Sequence, residues 1–243
     1  PYLKASDTIP IPRYLLTSLN EAFNNSKSER RNAHGQPQKL SHAFELTPQL
    51  RTMNKKERIS EHFEQAAQLL EQVRSDSEFM ESVEIGADAM AKCIAAGGKI
   101  ISCGNGGSMS DAMHFAEELS GRYREHRPGI AAISCSDPSH ITCVGNDYGF
   151  EFIFSRFVEA VGKTGDVLLA ISTSGNSANV LEAAKEAKAK GMSVIGLTGR
   201  GGGKLKALCD VVIDVPWNGF ADRVQEVHIK VIHAWIDAIE RQQ

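Results

Sequence analysis

From residue 57 onward the apolar positions fall into regular patterns. Phe63, Ala66, Ala67 and Leu70 recur every three or four residues, and Phe79, Val83, Ala87, Met90 and Ile94 do the same. That spacing places each set on one face of a helix, and Gly97-Gly98 ends the second. Beyond Gly98 the pattern changes to short apolar runs alternating with longer amphipathic stretches. The runs at 99–103, 130–134, 166–171, 192–197 and 210–214 read as strands, and 107–121, 150–161, 176–190 and 219–241 read as helices. Unbroken apolar strands alternating with helices are buried on both faces. The expected fold is therefore α/β, a three-layer αβα sandwich with a five-stranded parallel sheet.

Residues 1–52 break from this pattern. They hold Pro10, Pro12, Pro37 and Pro48 and a polar run from Asn24 to Arg31, and neither helical nor strand periodicity persists. We read 1–52 as an N-terminal extension, foreign to the domain or weakly structured, and 53–243 as the domain itself.

Composition narrows the function. The chain has 243 residues, 42% of them apolar and 23% charged, with a formal net charge of -3. That balance speaks against non-specific nucleic-acid binding. The apolar runs are shorter than the roughly 18 residues a membrane span requires. With no charged-then-apolar leader at the start, the expected location is the cytoplasm. The five cysteines (Cys93, Cys103, Cys135, Cys143 and Cys209) are odd in number and lack a C-x-x-C pair, so they read as buried free thiols in a reducing compartment.

Two loops carry candidate chemistry. Cys103-Gly104-Asn105-Gly106-Gly107-Ser108 follows the apolar pair Ile100-Ile101 and precedes a helix. Glycine permits a sharp turn and a close backbone approach to a ligand, and the helix start offers free N–H groups to an anion. Ser172-Thr173-Ser174-Gly175-Asn176-Ser177 follows the run Val167–Ile171. One hydroxyl would suffice for a helix cap; four, with backbone amides, can surround a phosphate without a lysine. Both loops fall at strand C-termini, where open α/β sheets bind ligands.

His114 and Glu118 are one helical turn apart and share a face. They suit a metal, or a base with its orienting partner. Gln225 and His233 lie on one later helix, eight residues or about 12 Å of rise apart, so a single straight helix does not bring both to one ion. A shared site is then expected to draw a carboxylate and an imidazole from two chains of a symmetric oligomer. His228 on that helix reads as exposed or as a structural hydrogen-bond donor. Asn146-Asp147 reads as a turn in a connection, or as a holder of sugar hydroxyls. Arg122, Arg124 and Arg127 read as a solvated basic cluster, and Gly199–Lys204 as a lid or a plain loop.

Residues from about 54 to 243 resemble the SIS (sugar isomerase) domain family, and within it the phosphoheptose isomerases. The resemblance rests on Ser102–Ser108, Asp111–Leu119, Gly121-Arg122-Tyr123-Arg124, Cys143-Val144-Gly145-Asn146-Asp147, Ile171–Ser177 and Arg223–His233. It implies a ketose–aldose isomerase that converts sedoheptulose 7-phosphate to D-glycero-D-manno-heptose 7-phosphate through an enediolate, the first step toward ADP-heptose for lipopolysaccharide core. It also implies a homotetramer with active sites at subunit interfaces and one zinc ion per subunit. His114, Glu118, Gln225 and His233 occupy the zinc-ligand positions, and Glu118 and His233 the catalytic acid/base positions. Asn105, Gly106, Gly107, Glu118, Asn146, Asp147, Ser172, Thr173, Ser174, Ser177 and Gln225 occupy the substrate positions. The family often has His-Cys after the first loop's serine, where this chain has Met109-Ser110. Two other readings use the same loops. One is a regulatory sugar-phosphate-binding module, against which the presence of both Glu118 and His233 speaks. The other is an isomerase of a pentose or hexose phosphate.

Overall fold

The computed structural model describes residues 53–242, and the extension read over 1–52 lies outside the described residues. Two helices open the domain. At the start of α1 (Lys55–Ser75), the Asn54 side chain accepts from the Glu57 amide and the Glu57 carboxylate accepts from the Asn54 amide, a capping box. Asp76 ends α1 and starts α2 (Ser77–Ala95) by accepting from the amides of Glu78 and Phe79.

Among the described residues the strands are β1 (Ile100–Cys103), β2 (Ala132–Ser134), β3 (Val167–Ser172), β4 (Ser193–Gly199) and β5 (Val211–Val215). They form one parallel sheet in the order β2-β1-β3-β4-β5. α3 (Gly107–Ser120) follows β1. α4 (Pro138–Asp147), a 3-10 turn (Phe150–Phe152) and α5 (Ile153–Val161) lie between β2 and β3. α6 (Ala178–Ala189) follows β3 and α7 (Ala221–Glu240) follows β5.

The central strands are buried along their whole length, and their side chains alternate between two cores. Val167, Leu169 and Ile171 pack with α1, α2, α3 and α7 around Phe115 and Trp235; Leu168 and Ala170 pack with α4, α5 and α6 around Phe154. The fold is the expected three-layer sandwich. Trp235 donates its indole N–H to the Val83 carbonyl at 2.7 Å. Gly86 gives the ring room, since a Cβ there would lie 2.9 Å from it.

Sheet order decides where a ligand can sit. The order reverses between β1 and β3, so the crevice outside their carboxyl ends is the topological switch point. The loops after β1 and β3 are the two singled out by sequence.

The structure corrects some local readings. Strand boundaries shift by one or two residues. The stretch leading to Asn146-Asp147 is a helix rather than a connection: Asp137 accepts from the His140 amide and Pro138 fills the first helical position. Its threonine, cysteine and glycine obscure the helical pattern. Asn146 and Asp147 are thus the last residues of a helix. The cysteines are buried at 93, 103 and 135, half-buried at 209 and exposed at 143.

Candidate active site

The first loop is a backbone device. Gly106, with φ of 55°, precedes α3 and supplies no side-chain cap. At Gly104 a Cβ would come within 2.6 Å of the Ser108 carbonyl oxygen, so the tight turn tolerates glycine alone. Asn105, half-buried, reaches toward α6. Its amide donates to Asn179 Oδ1 at 2.8 Å, and Asn179 Nδ2 donates back to Asn105 Oδ1 at 2.9 Å.

The serine loop presents hydroxyls rather than using them as caps. Ser177 holds the N-cap position of α6 yet makes no side-chain capping bond. Its Oγ instead lies 3.0 Å from Ser172 Oγ across the loop. Ser174 Oγ accepts from the Asn176 amide at 3.2 Å, and Thr173 is half-buried beside it. Gly175 takes φ of 62°, and a Cβ there would sit 1.9 Å from the Gly202 carbonyl oxygen. The run Gly199–Lys204 is therefore a brace against the serine loop. The Leu205 amide, just beyond it, donates to Gly175 O at 2.9 Å, and the Lys204 amide donates to Asn176 Oδ1 at 3.2 Å.

α3 and α7 run side by side in the same direction. Gly107 faces Gln225, His114 faces His233, and Arg124 beyond α3 pairs with Asp237. This packing brings Nε2 of His114 within 3.1 Å of Nε2 of His233 and leaves it 3.6 Å from Glu118 Oε1. Carboxylate and imidazole thus meet within one chain, where the sequence reading expected two chains. Burial, then the neighbouring charge of His114, holds His233 below its ordinary pKa, while Glu118 pulls the other way. A neutral imidazole is the form that binds a metal or accepts a proton.

The donor set suits a metal. His114, Glu117 and Glu118 each offer a ligand atom within 4.8 Å of the others. His233 adds a second imidazole nitrogen facing that of His114, and two imidazoles with a carboxylate match catalytic zinc chemistry. Gln225 sits at the head of α3. Its side-chain amide packs on Gly107, where a Cβ would meet Nε2 at 2.6 Å. Gln225 stands about two turns before His233 on α7.

Asn146 and Asp147 are exposed at the end of α4. Among the described residues their side chains bond to each other at 2.8 Å and to Cys143, not to the two loops. Tyr123, unassigned by sequence, stacks on His233 with ring centroids 5.9 Å apart, and Arg124 lies 5.1 Å from the Tyr123 ring centroid. Asp111 lies one turn before His114, and burial pushes its carboxyl up to about 6. Asn179 was missed as well; an asparagine just inside a helix start is a weak signal until its burial is known. His228 is fully buried and bonds the Thr198 carbonyl at 3.0 Å, the structural alternative of its two readings. Of the three arginines, Arg122 and Arg124 are exposed as expected, but Arg127 is not simply solvated. Its side chain is 7% exposed, pairs with Glu240 at 2.9 Å and donates to the carbonyls of Glu118 and Leu119.

Comparison with known proteins shows the family. The SIS domain signature matches residues 61–199, more than half of the chain. The chain belongs to the SIS domain family. It is 60% identical over 183 residues to the phosphoheptose isomerase of Cytophaga hutchinsonii, covering 75% of this chain and 96% of that protein. The structure of phosphoheptose isomerase GmhA from Neisseria gonorrhoeae superposes with a TM-score of 0.73 at 43% identity, over 77% of this chain and all of that one. A phosphoheptose isomerase from Francisella tularensis gives 0.74 at 37% identity, over 78% and 100%. Within its family this chain groups with the phosphoheptose isomerases, and it is an isomerase.

Proposed function

We propose that the protein converts sedoheptulose 7-phosphate to D-glycero-D-manno-heptose 7-phosphate, supplying heptose for lipopolysaccharide core. The observation that carries this reading is the convergence of His114, Glu118 and His233 beside α3, whose first turn belongs to the same switch point as the serine loop. A sugar phosphate has two ends, and this crevice has a fitting partner for each.

Ser172, Ser174 and Ser177, with Thr173 and the amides around Gly175, grip the phosphate. Anchoring that end fixes the carbonyl end and removes the entropy of a bimolecular encounter. Glu118 takes the C1 proton of the ketose, and His233 serves the oxygens as the enediolate forms and collapses with the proton returned at C2. His114, Glu118 and His233 would hold one zinc ion per subunit, with Gln225 completing the set across a subunit contact. When bound, zinc supplies positive charge against the developing negative charge on the sugar oxygens. The same reading makes the assembly a homotetramer in the cytoplasm, with Asn105, Gly106, Gly107, Asn146, Asp147 and Gln225 around the sugar chain. Asn105 gives one N–H and one oxygen lone pair to Asn179, and its second N–H, its other lone pair and its backbone are left for the substrate.

No described helix is long and apolar enough to cross a membrane. The test is incubation with sedoheptulose 7-phosphate, with and without a chelator, followed by product analysis. Heptose 7-phosphate formed only without chelator, and restored by added zinc, is the expected result. No conversion under either condition would end the reading.

A further inference from the structure

Asn179 lies just inside the first turn of α6, and it is 2% exposed. A buried amide must find partners for its donors and its acceptor, and Asn179 finds them in two places. It exchanges reciprocal bonds of 2.8 and 2.9 Å with Asn105, 74 residues earlier, and its Oδ1 also accepts from the Val180 amide at 3.0 Å. Asn105 belongs to the loop at the head of α3, the helix that carries His114 and Glu118. Asn179 belongs to the head of α6, directly after the serine loop. The two carboxamides clasp face to face across the β1/β3 switch point.

We propose that Asn179 is a positioning and specificity-determining residue that sets the distance between the reacting end and the phosphate end of the crevice. This rests on the isomerase reading of the site. A ligand gripped at both ends is measured by the span between the grips, so a fixed span selects chain length. The paired amides supply a fixed span because each bond restrains the other. Cutting the clasp lets the two loops move apart or together. The enzyme then loses grip on the seven-carbon substrate and tolerates a shorter sugar phosphate better by comparison.

The experiment measures kcat and KM of the full chain, wild type, Asn179→Ala and Asn179→Asp, on sedoheptulose 7-phosphate and on a five-carbon ketose phosphate. For Asn179→Ala the expected result is a rise of about tenfold in KM for the seven-carbon substrate, with a smaller change in kcat. The ratio of kcat/KM between the seven-carbon and five-carbon substrates falls at least about fivefold. Asn179→Asp still accepts from Asn105 and Val180 but cannot donate, so it lies between wild type and Asn179→Ala. A loss of stability alone lowers the active fraction for both substrates equally and leaves that ratio unchanged. Folded variants with the wild-type ratio would overturn the proposal. If Asn179→Ala does not fold, the ratio for Asn179→Asp decides. If the wild type fails to convert sedoheptulose 7-phosphate, the isomerase reading fails instead. Equilibrium binding of the same two sugar phosphates to wild type and Asn179→Asp then decides the clasp, and an unchanged affinity ratio overturns it.

Discussion

The Nε2 atoms of His114 and His233 stand 3.1 Å apart although 119 residues separate them in the chain. At that distance at most one of the two facing nitrogens carries a hydrogen, and with neither protonated the pair turns two lone pairs toward one point. His233→Ala removes the partner acid, and kcat is expected to fall about 10²–10⁴-fold. The position is half-buried and outside both main cores, so the melting temperature should move little. Turnover and a thermal melt on the same sample check both statements.

Glu118→Gln keeps the shape of the side chain and removes its basicity and charge. Turnover should vanish while the circular dichroism spectrum stays that of the wild type. Zinc content after dialysis should fall as well, because Glu118 is a ligand in the proposed site. Full activity in this variant would remove Glu118 from the mechanism.

Gly175→Ala should damage the serine loop. The backbone there has φ of 62°, and the new methyl group would sit 1.9 Å from the Gly202 carbonyl oxygen. A positive φ alone costs a non-glycine residue about 1 kcal/mol or more, and the clash forces the brace at Gly202 to shift. KM for the sugar phosphate and the potency of inorganic phosphate as an inhibitor should both weaken by about tenfold or more. Steady-state kinetics reads both.

His228 makes stability depend on pH. Burial lowers its pKa from 6.5 to about 4, against the opposing pull of its bond to the Thr198 carbonyl. Between those values the unfolded chain carries a proton that the native protein refuses. The stabilisation is complete above about pH 6.5 and declines as pH falls toward 4, by an amount on the order of 3 kcal/mol. Urea unfolding at pH 7.5 and pH 5 measures it. His228→Gln, which can still donate to Thr198, should lose that part of the pH dependence.

Arg127→Ala should be strongly destabilising. Its guanidinium is buried against Glu240, and it satisfies carbonyls at the C-terminal end of α3. Removing it leaves a carboxylate and two carbonyls short of a partner, a loss of roughly 3–5 kcal/mol. Denaturant titration reads the change, and Glu240→Gln should cost less because a neutral partner remains.

The layers of the fold were legible because they depend on near neighbours in the chain. Phe63 to Leu70 and Phe79 to Ile94 show their helices by spacing alone, and the runs ending at Cys103 and Ile171 show buried strands by their largely apolar character. The loops were legible for the same reason, since glycine before a helix and serine after a strand are local patterns. α4 was not, because its capping pair Asp137-Pro138 precedes residues of low helical propensity. What the sequence determined by itself was therefore the elements, their alternation, and the residue types offered at each strand end. Their meeting was decided by the packing of α3 along α7, which sets His233 against His114 but Gln225 against Gly107. The strand order β2-β1-β3-β4-β5 likewise makes neighbours of two loops about 70 residues apart. Such contacts arise from burying whole helix faces against a shared sheet, and that burial constrains the positions of side chains without leaving a mark in the local spacing of the residues that meet.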